Sequence, residues 1–304
     1  MQSESDLGQC CRGSLSRWGS NPPAQVISES TAGAVSTSII DLPASSSIYR
    51  LGATPVLAHW TARHDGDQRP PEIGGEDDGG LVCPSGRSRV WLRQVHGSGV
   101  VRVDGQWDQV GVEGDALVTA REDVCLAIFV ADCAPVALAS PEGVLAAVHA
   151  GWRGLMAGEI ETTVAAMASM GATRIVGAVG PCVHPECYEF SEMELRSVAE
   201  RLGDGVVATT VSSRPALDLP AAVASALDAS GVALLAQVGE CTACSGSYFS
   251  HRREGSVERQ AMLVWKQGCR AGLPAETAGV HMTKEIVMVD HHPWVSSSHE
   301  GART

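Results

Sequence analysis

Alternating and continuous apolar stretches predict the first strands of the ordered core. Residues 90–96 alternate apolar and polar positions, so one face of a strand would carry Leu92, Gln94 and His96. Residues 125–133 (CLAIFVADC) form a continuous apolar run, as expected of a strand that is buried on both sides. The two patterns therefore predict one half-buried strand and one fully buried strand.

A turn signal joins the buried strand to a third strand. Residues 140–143 (SPEG) are typical turn residues, and residues 144–150 (VLAAVHA) follow as an apolar run. A hairpin centred on this turn places Cys133 one position away from direct pairing with His149. A single bulge, which Pro135 favours, would bring the two side chains to the same face.

Helical and strand patterns alternate irregularly after this hairpin. GWRG at 151–154 opens a predicted helix that ends at Gly171, and the alanine content of residues 219–231 predicts another helix. Residues 174–182 and 206–211 predict further strands. Because helices and strands mix without strict alternation, we expect a layered α/β (α+β) fold with a mixed β-sheet.

Composition changes toward both ends of the chain. Residues 1–45 are rich in Ser, Ala, Gly and Pro and predict a disordered arm that could end in a strand. Residues 65–80 are dense in Gly, Pro and acidic residues and predict a loop. The catalytic domain is predicted over residues 46–268, with a flexible tail over residues 269–304.

Charge and cysteine usage narrow the class of protein. The 304 residues carry a formal net charge of −13, which argues against nucleic acid or an anionic membrane surface as the main partner. No apolar run reaches the roughly 18 residues of a membrane span, and the N-terminus lacks the apolar core of a signal peptide. Ten cysteines without an export signal therefore predict reduced thiols and a cytoplasmic protein.

Three side chains in the predicted strands have the types of zinc ligands. His96, Cys133 and His149 would supply two imidazoles and one thiolate. A set of three protein ligands leaves a coordination position for water, which is typical of a catalytic zinc. Each residue alone is as readily a buried polar or small apolar residue, so the prediction depends on whether the three side chains converge.

A second set of zinc-ligand types lies later in the chain. GPCVHPEC carries Cys182, His184 and Cys187, and CTAC carries Cys241 and Cys244. Together they could form a structural zinc site, although buried thiols and turn residues explain them more simply.

Several short motifs occur in an order that resembles one known family. They are RQVHG (93–97), GDALVT (114–119), ADC (131–133), VHAGWRG (148–154), GPCVHPECYEF (180–190) and YFSHRREG (248–255). Over roughly residues 50–268 the chain resembles the YfiH/laccase-domain family, also called the polyphenol oxidase or purine nucleoside phosphorylase YfiH family. The resemblance implies a single-domain fold related to the cytotoxic necrotizing factor catalytic domain, and zinc held by His96, Cys133 and His149.

The resemblance also implies a reaction class. It suggests zinc-dependent phosphorolysis of adenosine, inosine or methylthioadenosine and deamination of adenosine, with purine nucleosides and phosphate as partners. A hydrolytic role in cell-wall precursor editing is also attributed to relatives; there Cys133 would be the nucleophile and His149 the base. A third possibility is a zinc-binding module without catalysis. The sequence leaves open whether the protein is a monomer or a dimer.

Five further residues are candidates for catalysis or ligand binding. Asp132 is the nearest acid to the proposed zinc and is predicted to act in catalysis, or else to organise a turn. Arg153, with the amides at the start of its helix, suits a phosphate, and Arg63 and Arg253 are further candidates for ligand binding. Gln94 could hydrogen-bond a ligand or fill a strand face.

Two segments depart from the family pattern. Near the start, where the family usually has Arg-x-Gly-Gly-x-Ser, Arg63 and Gly66 match but Asp65 stands in place of glycine. Near the end Arg259 matches, whereas Glu258 replaces glycine. These changes put the affinity for substrate, and with it the activity, in doubt. They leave the proposed zinc ligands intact.

The histidine content bears on the choice of metal. Multicopper oxidases commonly hold their copper clusters with His-x-His pairs. This chain has ten histidines and no His-x-His pair. We therefore expect zinc rather than copper, although two imidazoles and a thiolate can also bind copper.

Overall fold

The computed structural model describes residues 40–42, 48–70, 86–105, 111–267 and 284–286. Its strands are β1 (Ile40–Leu42), β2 (Ile48–Leu51), β3 (Val56–Trp60), β4 (Ser88–Val90), β5 (Val100–Arg102), β6 (Ala116–Thr119), β7 (Val124–Val130), β8 (Ala134–Ala139), β9 (Leu145–Ala150), β10 (Val176–Val179), β11 (Val207–Thr209), β12 (Pro215–Leu217), β13 (Ala233–Val238), β14 (Gln260–Lys266) and β15 (Lys284–Ile286). Its helices are α1 (Trp152–Ala157), α2 (Glu159–Ser169), α3 (Glu192–Leu202), α4 (Leu219–Ala229) and α5 (His251–Glu254).

Two mixed sheets form the framework of the described residues. One sheet has the order β1-β13-β10-β8-β9-β6-β5 and the other has the order β15-β2-β3-β14-β7-β4. Each contains parallel and antiparallel pairs: β8 is antiparallel to β9, for example, while β10 is parallel to β13. A separate antiparallel ribbon joins β11 and β12. The prediction of an α/β fold with a mixed sheet is therefore confirmed.

Alternate side chains of β8 enter two different cores. Val136 and Leu138 pack in a core that also holds Ile160 of α2 and apolar residues of α1, α3 and α4. Ala137 and Ala139 point the other way, into a core shared with the six-stranded sheet. Since neighbouring strand residues face opposite sides, the seven-stranded sheet lies between a helical layer and the second sheet.

The predicted hairpin is present, and the details at its end differ. Strands β8 and β9 pair without interruption, and Pro135 lies directly opposite His149. The predicted bulge is absent from this ladder, and the predicted strand over residues 125–133 is wrong at its end because β7 stops at Val130. A bend over residues 131–133, with Asp132 at φ 90°, separates β7 from β8 and carries Cys133.

The strand predicted over residues 90–96 is wrong beyond its first residue. Strand β4 ends at Val90, and His96 lies in a loop with a left-handed φ of 61°. The physical reason is that the Asp115 carboxylate accepts hydrogen bonds from the backbone N–H groups of Val95, His96 and Gly97. A side chain thus takes the place of a neighbouring strand.

The helices follow the predicted patterns in part. The helix predicted from 151 to 171 is broken at Gly158, whose φ of 82° ends α1 before α2 begins. The predicted helix at 219–231 corresponds to α4, and the predicted strands at 174–182 and 206–211 shorten to β10 and β11. Helix α3, capped by the Ser191 side chain, was not predicted. No helix in the described ranges is long and apolar enough to span a bilayer.

Short strands occur within both predicted flanking regions. Strand β1 belongs to the predicted N-terminal arm and pairs with β13, and β15 belongs to the predicted tail and pairs with β2. Most of both regions, and residues 71–85 of the predicted loop, lie outside the described residues. The predicted boundaries of the catalytic domain remain a prediction.

Candidate metal and active site

Three side chains from separate segments converge, as the sequence predicted. The ligand atoms of His96, Cys133 and His149, here called the mixed group, all lie within 4.8 Å of one another. The Cys133 Sγ is 3.8 Å from the His96 Nε2, and the two imidazole rings meet edge-on with their centroids 4.8 Å apart. His149 is buried at the end of β9, whereas His96 is exposed. The group is therefore open to solvent on one side.

Asp115 orients two of these three residues through hydrogen bonds, one to the His149 side chain and one to the His96 backbone. This fully buried carboxylate accepts a hydrogen bond from the His149 Nδ1 at 2.9 Å. It also accepts the backbone N–H of His96 at 2.8 Å and that of Gly97 at 2.7 Å. Burial alone would raise the pKa of Asp115, but these donors hold it below its usual range. Asp115 lies within the GDALVT motif, and sequence reasoning did not single it out.

The thiol and imidazole at the centre of the group favour an ion pair when metal is absent. Burial alone would raise the pKa of the Cys133 thiol, yet the charges and hydrogen bonds of His149 and His96 lower it to about 6. Burial alone would lower the pKa of His149. The negative charge of the Cys133 thiolate and the hydrogen bond to Asp115 outweigh burial, so the pKa of His149 is raised. A stabilised thiolate is both a metal ligand and a nucleophile.

Gly151 brings the chain close to the group after β9. A Cβ atom at this position would lie 3.1 Å from the Cys133 Sγ and 3.2 Å from the His96 Cδ2. Both distances are tighter than ordinary contacts. The absence of a side chain at Gly151 therefore lets the three segments approach.

Glu159 is a buried acid near the group that sequence reasoning also missed. Its side chain is fully buried, and neither carboxylate oxygen has a hydrogen-bond partner among the described residues. Burial raises its pKa to about 9, against the opposing effect of the His149 charge. Glu159 is therefore a neutral acid at physiological pH.

Asp132 is occupied by hydrogen bonds to a different segment. Its carboxylate accepts from the hydroxyls of Thr242 at 2.7 Å and Ser250 at 2.8 Å, and from the backbone N–H of Arg252 at 2.6 Å. These contacts support the alternative in which Asp132 organises a turn beside Cys133. A catalytic role for Asp132 stays a prediction.

Three other predicted ligand-binding residues also have partners within the protein. The Gln94 amide pairs with the backbone N–H and C=O of Phe129. The Arg63 guanidinium donates to the Tyr248 carbonyl and forms an ion pair with Glu254. Arg253 donates to the same Glu254 carboxylate and to a backbone carbonyl. These contacts favour structural roles for Gln94, Arg63 and Arg253.

Arg153 is exposed and lies in a row of stacked rings. Its guanidinium lies 4.6 Å above the Trp152 ring, which meets Phe190 edge-on with centroids 5.2 Å apart. Tyr188 continues the row at 5.4 Å from Phe190, and the Arg252 guanidinium lies 4.9 Å above the Tyr188 ring. The row thus consists of three aromatic rings in edge-on contact, with one guanidinium over the ring at each end.

Two arginines that were not among the predicted site residues bear on the site: Arg259 interacts directly with the Cys133 charge, whereas Arg252 acts on Tyr188, which the Cys133 charge also affects. Burial, followed by the charge of Cys133, raises the pKa of Tyr188, and Arg252 opposes this. Burial and the neighbouring Arg69 lower the pKa of Arg259, which also interacts with the Cys133 charge. A partly buried guanidinium beside a second one favours binding of an anion.

The second predicted set of ligands converges only in part. The sulfur atoms of Cys187, Cys241 and Cys244, here called the sulfur cluster, all lie within 4.8 Å of one another. Cys182 and His184 are not members of this group. His184 is buried, its Nε2 has no hydrogen-bond partner within the part of the chain that the structure describes, and burial lowers its pKa to about 4.

Comparison with known proteins places the chain in a family. Residues 81–267 match the family model described as multi-copper polyphenol oxidoreductase laccase. The chain belongs to this family. A relative from Streptomyces coelicolor, named purine nucleoside phosphorylase, is 44% identical over 180 residues, which cover 58% of this chain and 74% of the relative. A relative of the same name from Mycobacterium tuberculosis is 37% identical over 185 residues, covering 60% and 74% of the two chains.

Solved structures share the fold of this laccase-family chain. The Neisseria meningitidis protein NMB0706 superposes with a TM-score of 0.62 at 24% identity, covering 73% of this chain and 98% of its own. YlmD from Geobacillus stearothermophilus gives a TM-score of 0.58 at 27% identity, covering 70% and 93%. The predicted family resemblance is thus confirmed in sequence and in fold.

The copper in the family's description finds little support in the residues. Multicopper clusters need many converging histidines, and the mixed group contains two. Two imidazoles and a thiolate, with a carboxylate on the outer nitrogen of one imidazole, fit a single zinc ion. The donor set therefore agrees with the expected zinc, and the identity of the metal belongs to the proposal below.

Proposed function

We propose that this laccase-family chain is a zinc-dependent purine nucleoside phosphorylase with adenosine deaminase activity. Its substrates would be phosphate and adenosine, inosine or methylthioadenosine. The names of relatives at 37–44% identity support the phosphorylase activity. The observation that carries the proposal is the convergence of His96, Cys133 and His149 at a solvent-open point of the fold.

The mixed group would hold the zinc ion. Because the His149 Nδ1 faces Asp115, the Nε2 is the nitrogen that would bind the metal, once the metal displaces the proton of the metal-free ion pair. Zinc, when bound, polarises oxygen ligands and lowers the pKa of water toward about 7. The chain's own contribution is to hold the two imidazoles and the thiolate in place through Asp115 and Gly151.

Arginine and aromatic side chains would bind the two substrates. Phosphorolysis joins a phosphate oxygen to C1′ of the ribose and breaks the bond from C1′ to the purine nitrogen, which leaves as the protonated base. Arg259, which interacts with the Cys133 charge, and Arg252, which lies over the Tyr188 ring, would hold the phosphate. Tyr188, which lies under Arg252, offers an aromatic face for the purine. Arg153 remains a further candidate for the phosphate.

A second candidate function uses the same residues as a hydrolase. Cys133 has a pKa of about 6, and it contacts His149, which in turn is oriented by Asp115. A thiolate, an imidazole and a carboxylate in this relation resemble a cysteine hydrolase. Cell-wall precursor editing by a Cys133 nucleophile is therefore the alternative, and it predicts activity that survives removal of zinc.

The test is a phosphate-dependent turnover assay on the reduced full chain. We expect release of free base and ribose-1-phosphate from adenosine, loss of both with a chelator, and recovery with added zinc. Cys133→Ala should abolish turnover, while Cys125→Ala, a buried thiol in another core, should not. Activity that persists without zinc would favour the hydrolase. Zinc binding with no turnover of any of the three nucleosides would favour a non-catalytic module.

A further inference from the structure

We propose that Cys187, Cys241 and Cys244 hold a second, structural zinc ion when the protein is reduced. Their sulfur atoms all lie within 4.8 Å of one another. Thiolates around a tetrahedral zinc, with bonds of about 2.3 Å, lie roughly 3.8 Å apart. The three sulfur atoms therefore need only small shifts to share one ion.

The backbone builds the sulfur cluster from two segments. Cys241 and Cys244 have the C-x2-C spacing of a zinc-binding turn, in which the Ser245 N–H donates to the Cys241 carbonyl at 2.9 Å. Cys187 ends the short 3-10 turn Pro185–Cys187. The two segments are joined by a β-bridge from Cys182 to Cys241. The spacing and the bridge bring the three sulfur atoms close together, and the Cys244 sulfur becomes available to a metal once its disulfide is reduced.

The surroundings of the cluster favour thiolates and supply a fourth ligand. The backbone N–H of His184 donates to the Cys241 Sγ at 3.4 Å, a contact that stabilises a thiolate. The Glu186 Oε1 lies 3.8 Å from the Cys244 Sγ. The Glu186 carboxylate lies outside the group of ligand atoms within 4.8 Å of one another, so it would turn toward Cys187 and Cys241 to complete a four-coordinate site without a position for substrate.

The oxidation state of Cys244 controls the site. In this structure Cys244 is one half of a disulfide, whereas Cys187 and Cys241 remain thiols. A dithiol reductant supplies two electrons and two protons, which break the sulfur–sulfur bond and leave two thiols while the reductant becomes a cyclic disulfide. Zinc then displaces protons from the three cluster thiols. A diazene oxidant such as diamide takes two electrons and two protons from two thiols and becomes a hydrazine, which re-forms the disulfide and releases the ion.

The proposed ion would stabilise the segment that borders the mixed group. Thr242 lies between two of the cluster cysteines, and its hydroxyl donates to Asp132, next to Cys133. Zinc in the cluster would therefore anchor the Asp132 contacts without touching the reacting atoms. The inference stands whether or not the mixed group catalyses phosphorolysis.

The first experiment measures zinc in full-length Cys133→Ala protein, in which the mixed group is disabled. After dithiothreitol treatment, zinc loading and desalting, we expect about one zinc per chain. After oxidation with diamide we expect almost none, and reduction with added zinc should restore it. Absence of zinc from the reduced, folded variant would overturn the proposal, and so would zinc that survives oxidation.

The second experiment assigns the sulfur ligands with cobalt(II) in place of zinc. Three of the four proposed thiolate ligands belong to the sulfur cluster and one is Cys133. Cys241→Ser should therefore remove more of the thiolate-to-cobalt charge-transfer absorption than Cys133→Ala, and the control Cys125→Ala should remove none. Equal spectra for Cys241→Ser and the wild type would contradict the site. If Cys241→Ser fails to fold, Glu186→Gln gives the same test through a weakened cobalt affinity with the sulfur ligands kept.

Discussion

The mixed group and the sulfur cluster solve different problems with similar side chains. In the mixed group exposure rises from the buried His149 through the half-buried Cys133 to the exposed His96, and one carboxylate, Asp115, orients two members. The sulfur cluster has one type of donor and a carboxylate that can close the fourth position. The comparison suggests that an open edge and an orienting carboxylate distinguish a site that reacts from a site that holds loops together.

The largest expected difference between the two sites is in catalysis. Cys133→Ala removes a proposed metal ligand that is also the only sulfur of the mixed group, so we expect kcat/KM for phosphorolysis to fall at least about a thousandfold. Cys241→Ser should lower kcat/KM of the folded, reduced protein by less than about tenfold and mainly lower its stability. Similar losses in kcat/KM for the two variants would erase the distinction.

The orienting role of Asp115 gives the next largest effect. Asp115→Asn loses the acceptor that fixes the His149 tautomer and the loop of His96, so zinc affinity of the mixed group should fall about 10–100-fold. Competition with a zinc-responsive dye measures this. The control is Asp104→Asn, since Asp104 forms an exposed ion pair with Arg102. Unchanged affinity in Asp115→Asn would mean that the carboxylate is only structural.

The close approach at Gly151 predicts a smaller loss. A methyl group there would press on the Cys133 Sγ and on the His96 ring, so Gly151→Ala should weaken zinc binding about tenfold with little change in the sulfur cluster. Gly205→Ala is the matched control, because its Cβ would meet nothing within 4 Å. If both variants bind zinc like the wild type, the crowding is relieved by the neighbours.

Glu159 predicts the smallest effect, on stability alone. The pKa of the Glu159 carboxyl is 4.5 when it is exposed to water, as in the unfolded chain, and about 9 in the folded chain. The folded chain therefore keeps a proton that the unfolded chain loses, and the stability from this group is lost as pH rises from about 4.5 toward 9. Glu159→Gln should be more stable than the wild type at pH 8, by more than about 1 kcal/mol, with the gain gone near pH 5.

Denaturant unfolding at the two pH values measures this effect in metal-free protein. The exposed helical Glu200→Gln is the control and should show no such dependence. A gain in stability for Glu159→Gln that is equal at both pH values would show that the buried acid is charged in the folded state.

Local patterns in the sequence were enough to predict the hairpin and part of the site. The SPEG turn and the apolar runs on either side fix β8 and β9, so the positions of Cys133 and His149 followed within one residue. The pattern at 90–96 was misleading, because alternation alone predicts a strand. It cannot reveal that the Asp115 carboxylate, about twenty residues later, accepts hydrogen bonds from the backbone N–H groups of Val95 and His96.

Contacts between distant segments were beyond the reach of sequence patterns. Arg252 stacks on Tyr188, and Asp132 accepts hydrogen bonds from a segment more than a hundred residues later. Glu159 is buried by the folding of separate elements around it. In the sequence each of these residues is a single polar position that belongs to no repeating pattern, so its contacts could not be predicted. The C-x2-C spacing indicated a candidate metal site, and the structure brings the sulfur of Cys187, rather than that of Cys182, into the group with Cys241 and Cys244.

The most direct test of the mixed group is an anomalous difference map from crystals of the reduced, zinc-loaded protein, measured on both sides of the zinc absorption edge. The account predicts a peak within bonding distance of His96, Cys133 and His149, which disappears below the zinc edge. No peak among these three residues, or a peak that follows the copper edge instead, would contradict the central claim that they hold a catalytic zinc.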